Sequence, residues 1–131
     1  MWETAPIAVA GGWFLNMVVR CATVITPAEA LARLLEVERQ AGRTRLTPGA
    51  ARTLDLDLLM LGELRVDEPG LKLPHPRMWD RRFVLEPLAE IAPGLRNPED
   101  GRTVEEILQA LGPNNEVRRL TRLASPQRVL L

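Results

Sequence analysis

The chain has 131 residues, 46% of them hydrophobic and 26% charged, with 17 basic side chains against 17 acidic ones. That length fits one domain whose core covers roughly two thirds of the unfolded surface, and that composition excludes wholesale disorder. Zero net charge argues against a nucleic-acid coat or a membrane-surface binder, and three Trp and two Phe with no Tyr are too few for a base-stacking platform.

Residues 1–4 read as the stub of a strand. Residues 5–12 form a loop by Pro6 and the paired Gly11 and Gly12. The apolar run 5–19 fails as a signal peptide, because Glu3 precedes it, no basic stretch leads it and Pro6, Gly11, Gly12 and Asn16 interrupt it. It is also too short to span a bilayer, so the expected location is the cytoplasm. Residues 13–24 are apolar and β-branched and predict a strand. Cys21, the single cysteine, falls in that strand and is expected to be a buried, inert thiol; alone, it excludes an internal disulfide and a cysteine-built zinc site.

A helix is predicted over 27–41, closed by Gly42. Thr26 can cap it, Pro27 suits its first position and Glu29 completes a capping box. Its apolar stripe runs through Leu31, Leu34 and Leu35, and at helical spacing it reaches Glu38. A carboxylate on that stripe marks either a functional position or an edge residue paired with a nearby Arg.

Residues 43–53 form a loop bearing Arg43, Arg45 and Arg52 with no acid among them. Residues 54–59 alternate Leu with Asp and predict a strand. Gly62 turns the chain, and residues 64–66 and 71–73 predict short strands joined by residues 67–70. Residues 74–76, Pro-His-Pro, read as extended. A helix is predicted over 79–85, ended by Pro87. A last helix starts at Thr103, with a capping box to Glu106, and stops at Gly112. The Arg-rich tail from Pro113 carries no assigned role. Strands and helices do not alternate strictly, which favours an α+β fold over a doubly wound one.

The chemistry concentrates at Asp55 and Asp57. Two apart on a strand, they share a face, with Leu54, Leu56 and Leu58 opposite. Adjacent carboxylates repel unless a cation sits between them, and Mg²⁺ suits one or two carboxylates completed by phosphates. Any half-exposed strand can also carry two such acids. The flanks add weight: Arg43, Arg45 and Arg52 precede the pair, and His75, Arg77, Arg81 and Arg82 follow it. Acids for Mg²⁺ bracketed by bases for phosphate suit phosphoryl transfer. There is no Walker loop, dinucleotide-binding glycine set or kinase loop.

Four blocks of sequence are distinctive: Glu3-Thr4-Ala5-Pro6-Ile7; Trp13-Phe14-Leu15-Asn16; Arg52-Thr53-Leu54-Asp55-Leu56-Asp57-Leu58-Leu59; and Leu73-Pro74-His75-Pro76-Arg77-Met78 with Arg81 and Phe83. On these blocks the chain resembles the 6-hydroxymethyl-7,8-dihydropterin pyrophosphokinases of folate synthesis, over about residues 1–95. The resemblance implies a ferredoxin-like α+β sandwich with an antiparallel sheet. It implies transfer of pyrophosphate from ATP to the pterin hydroxymethyl oxygen, releasing AMP. Asp55 and Asp57 would hold two Mg²⁺ ions, the clamp for in-line displacement. Arg43 and Arg52 would join them as catalytic residues. Arg43, Arg45, Arg52, His75 and Arg81 would contact the ATP phosphates, Glu38 the nucleoside, and Leu58 and Lys72 would complete the ATP site. Thr4, Pro6, Ile7, Phe14, Asn16 and Phe83 would form the pterin pocket, with Phe14 and Phe83 flanking the ring. Ile7, Phe14 and Phe83 could equally be core. The implied partners are ATP, the pterin and other folate-pathway enzymes, with neither nucleic acid nor membrane.

Two departures from the family stand out. Residues 46–51 lack its aromatic-Gly-Pro, and the chain opens past its first strand, Gly-Ser-Asn turn and helix, so the expectation is an N-terminally incomplete pyrophosphokinase domain over 1–112 with a tail over 113–131. The alternatives are the same domain as a piece of a larger folate-pathway polypeptide, a non-catalytic remnant that binds Mg-nucleotide or a partner protein, and a small nucleic-acid binder.

Overall fold

The structure, a computed structural model, describes residues 2–4, 14–42, 54–113 and 117–119. The elements run β1 (Trp2–Thr4), β2 (Phe14–Asn16), α1 (Pro27–Gly42), β3 (Val66–Glu68), β4 (Leu71–Leu73), α2 (Arg82–Ile91), α3 (Val104–Ala110) and β5 (Val117–Arg119). Helices mixed with antiparallel strands are the α+β class expected from the sequence. The chain divides into two compact units, one of residues 1–20 with 79–131 and one of residues 21–78. Among the described residues no helix is long and apolar enough to cross a membrane.

In the first unit, β1 pairs antiparallel with β2 on one side and β5 on the other, giving the order β2-β1-β5. Helix α2 lies against α3 and against all three strands. Its Val84, Leu85 and Leu88 are buried with Val104 and Ile107 of α3 and Val117 of β5. Fully burying a Leu such as Leu85 stabilises by about 2–3 kcal/mol. Thr103 caps α3 as expected: its hydroxyl accepts from the Glu106 N–H, and the Glu106 carboxylate accepts from the Thr103 N–H. Gly112 follows with φ +76°, a left-handed conformation that suits glycine after a helix end.

In the second unit, the Thr26–Glu29 capping box is present, with hydrogen bonds of 3.1 and 3.2 Å. Helix α1 lies against β4 of the β3–β4 hairpin. Ala30, Leu71, Leu73 and Met78 are its buried apolar residues. Pro69-Gly70 turns the hairpin, Gly70 taking φ +81°, which fits the third position of a type II turn.

Several expectations are corrected. Among the described residues of the strand expected over 13–24, Phe14–Asn16 is β2; residues 17–24 have no regular structure, and Met17, Val19 and Val24 are exposed. A β-branched run forms a strand only where a ladder partner exists, and none lies beside it among the described residues. Cys21 is therefore exposed, not buried. Residues 54–59 form no ladder either, yet the alternation persists: Leu54, Leu56 and Leu58 are half-buried, Asp55 and Asp57 exposed. On α1 the inward positions are Ala30, Leu31, Leu34 and Glu38, with Leu35 exposed. The first hairpin strand is Val66–Glu68, two residues later than expected. Residues 74–76 lead into a turn in which the Met78 N–H donates to the His75 carbonyl. Helix α2 starts at Arg82 rather than 79 and runs through Pro87, because burial of Val84, Leu85, Pro87 and Leu88 outweighs one missing N–H. In the tail, Val117–Arg119 is strand β5. The loops expected over 5–12 and 43–53 lie largely or wholly outside the described residues.

Candidate active site

Two hydrogen bonds hold the aspartate-bearing segment 54–60, which pairs with no strand among the described residues. The Leu56 N–H donates to Glu38 Oε1 at 2.6 Å, and the His75 N–H donates to the Leu59 carbonyl at 2.7 Å. Glu38 is on the inward stripe of α1 because it meets this backbone amide. With every second residue facing the same way, the two pins fix Leu54, Leu56 and Leu58 inward and Asp55 and Asp57 outward.

Beside this segment is an open cavity of about 330 Å³. Leu31, Leu56, Leu58 and Leu71 give it apolar walls, Gly70 and Pro76 contribute its rim, and Asp57, Lys72 and His75 supply polar groups. Lys72 is opposite Asp67 across the hairpin, with 3.7 Å between ammonium and carboxylate. Both side chains are well exposed, so the pair contributes less than about 1 kcal/mol and leaves Lys72 available to a ligand. His75 Nδ1 accepts from the Arg77 N–H at 3.2 Å. In the neutral imidazole the proton is then on Nε2, which is the donor for a ligand. The Arg77 amide fixes the ring.

Four residues expected in the ATP and metal sites, Asp57, Leu58, Lys72 and His75, thus line one cavity. Glu38 grips Leu56, which lines the same cavity. Asp55 is exposed on the same segment. Arg43, Arg45 and Arg52 lie outside the described residues, as do Pro6 and Ile7. Of the residues expected around the pterin, Thr4 and Phe14 are cross-strand partners in β1 and β2. Asn16 is half-buried at the end of β2, in register with Trp2. Phe83 is half-buried in α2, with the Arg81 guanidinium 5.6 Å from its ring centroid, a cation–π distance. Arg82, counted by sequence among the phosphate-holding bases, is instead buried, paired with Glu86 at 3.0 Å and donating to the Gly112 carbonyl at 2.7 Å. Sequence reasoning passed over Leu31, Gly70 and Leu71 as lining residues; only the packing of α1 and the hairpin turn brings them to the cavity.

Asp55 and Asp57 offer hard oxygen donors, and among the described residues no group of three or more His, Cys, Asp or Glu gathers to form a self-sufficient metal cage. Two exposed carboxylates fit a Mg²⁺ ion that draws its remaining ligands from phosphates and water.

A model of the 7,8-dihydro-6-hydroxymethylpterin-pyrophosphokinase family matches residues 1–93. The chain is 41% identical over 96 residues to the 2-amino-4-hydroxy-6-hydroxymethyldihydropteridine pyrophosphokinase of Synechocystis sp., covering 73% of this chain and 49% of that protein. It is 46% identical over 97 residues to the protein of the same name from Pseudomonas aeruginosa, covering 74% and 59%. Over 92 residues it is 41% identical to a mitochondrial folate synthesis bifunctional protein of Arabidopsis thaliana, covering 70% of this chain and 17% of that protein. The chain spans about half the length of the curated pyrophosphokinases it matches. The matched stretch contains β1, β2, α1, the aspartate segment, the hairpin and α2, and on that extent of agreement the chain belongs to the 7,8-dihydro-6-hydroxymethylpterin-pyrophosphokinase family.

Proposed function

We propose that this chain provides the nucleotide and pterin sites of an ATP-dependent pyrophosphokinase, transferring pyrophosphate from ATP to 6-hydroxymethyl-7,8-dihydropterin with release of AMP. The observation that carries the reading is the meeting of Asp57, Leu58, Lys72 and His75 at one cavity with apolar walls. In this reading Asp55 and Asp57 hold two Mg²⁺ ions. Mg²⁺ bound with ATP supplies charge neutralisation on the phosphates and polarises the transferring group.

The chain's own residues do the rest. Lys72 and His75 Nε2–H donate to phosphate oxygens, with Arg43, Arg45, Arg52 and Arg81 adding positive charge. Leu31, Leu56, Leu58 and Leu71 cover the nucleoside and keep water from it, and Glu38 serves the same ATP site. Thr4, Pro6, Ile7, Phe14, Asn16 and Phe83 receive the pterin, Asn16 as a hydrogen-bonding amide and Phe83 as an apolar face. Positioning and electrostatic stabilisation together account for most catalysis of this kind. A ferredoxin-like sheet is the architecture the reading supposes, and the cytoplasm its setting, alongside other enzymes of folate synthesis.

The test is AMP release from ATP and the pterin by the purified chain with Mg²⁺, against an Asp57→Ala control. Pterin-dependent AMP that vanishes in the control supports the reading. ATP binding without AMP points instead to a non-catalytic remnant.

A further inference from the structure

We infer that Glu38 is a positioning residue for the metal-binding carboxylates, acting through the Leu56 amide. The inference rests on the reading that Asp55 and Asp57 hold the metal. Segment 54–60 has no strand partner among the described residues, so its conformation depends on a few fixed points. Leu56 is between the two aspartates, and its N–H donates to Glu38 Oε1 at 2.6 Å, a charge-assisted bond that is part-buried. The donor amide belongs to the peptide that joins Asp55 to Leu56, and Asp57 follows one residue later. Holding that peptide fixes the backbone from which both carboxylates project. Glu38 itself is carried on α1, a 16-residue helix capped at its start, so the anchor point is rigid. In effect one carboxylate takes the place of a neighbouring strand's carbonyl. The role is additional to any contact Glu38 makes with the nucleoside.

The experiment compares wild type, E38A and E38Q for Mn²⁺ binding in the presence of ATP, with free Mn²⁺ counted by electron paramagnetic resonance. It also follows hydrogen exchange of the Leu56 amide without metal. E38A is expected to weaken Mn²⁺ binding about 10–100-fold, as loss of a ligand-supporting contact does. E38Q keeps an acceptor oxygen and is expected to lose no more than about fivefold, the increment due to charge. The Leu56 amide is expected to be protected in wild type and E38Q and unprotected in E38A. Equal losses in E38A and E38Q, or none in either, overturn the inference. So does an unprotected Leu56 amide in wild type that binds Mn²⁺, a result that stands whether or not E38A folds. A wild-type chain that binds no Mn²⁺ with ATP overturns the functional reading, and this role with it.

Discussion

Arg82, at the first turn of α2, donates to the carbonyl of Gly112, just past the end of α3, at 2.7 Å. The same guanidinium pairs with Glu86, and both side chains are largely buried, at 8% and 16% exposure. One side chain therefore ties two helix ends together while neutralising a buried acid. Removing it alone takes this guanidinium from a largely buried carboxylate and this donor from the Gly112 carbonyl. Arg82→Ala is expected to lower stability by about 3 kcal/mol, at the low end for breaking a buried pair. The double variant Arg82→Met with Glu86→Leu is expected to recover most of that loss. Urea unfolding of the three chains checks both statements.

His75 offers a finer test of the nucleotide site. Its Nδ1 is engaged by the Arg77 amide, which leaves Nε2–H as the donor. On the proposed reading His75→Ala removes one hydrogen bond to a charged phosphate and is expected to weaken ATP binding about 10–100-fold. His75→Gln returns an amide donor near the place of Nε2 and is expected to recover part of it. Calorimetric titration with Mg-ATP measures both.

Pro87 breaks the hydrogen-bond pattern of α2, because it has no N–H to give the Phe83 carbonyl. An interior proline costs about 3 kcal/mol relative to Ala, whereas the buried ring contributes packing of about 1–2 kcal/mol. Pro87→Ala is expected to raise stability by about 1 kcal/mol. A thermal melt that moves downward would show the ring's packing to be the larger effect.

Asp100 makes a local acid-sensitive contact. Its carboxylate accepts first from the Arg102 backbone N–H at 2.9 Å and then from the Arg102 Nε at 2.8 Å, and these bonds hold its carboxyl below the usual range. A carboxyl lowered on folding stabilises the native state above its unfolded pKa, and that stabilisation is lost as pH falls through the folded pKa. The backbone bond is the larger cause, so Arg102→Ala is expected to leave the Asp100 titration still below the ordinary carboxylate value, while moving it upward. Carbon-detected NMR of the Asp100 carboxyl against pH reads this directly.

What could be read from sequence was what neighbouring residues decide. The boxes Thr26–Glu29 and Thr103–Glu106 close within one helical turn, so α1 and α3 were legible with their starts. The Pro-Gly turn of the hairpin was legible for the same reason, though not the two-residue shift of its first strand. Strand 13–24 was not, since pairing depends on distant residues, and among its described residues Phe14–Asn16 alone pair with another strand. The break at Glu38 was visible as a fault in a local period. Its partner was not, because a backbone amide eighteen residues away leaves no mark in side-chain types. Arg82 was misread on similar grounds: an arginine bound for a buried pair looks the same in sequence as one bound for a phosphate. At the cavity, the resemblance named Leu58 beside the polar residues but not Leu31, Leu56 or Leu71, since a leucine lining a ligand cleft and one filling a core have identical sequence signatures.

Strand β5 lies beyond the stretch that the family model matches, yet it borders β1, pairing Val117 with Thr4 and setting the Arg119 guanidinium 3.1 Å from Glu90 of α2. Homology and folding therefore draw their boundaries in different places. A chain cut at residue 93 would retain all that the family model matches and lose the cover over one side of β1. That side would become an open row of backbone donors and acceptors, the kind of edge through which β-proteins recruit other copies of themselves into aggregates.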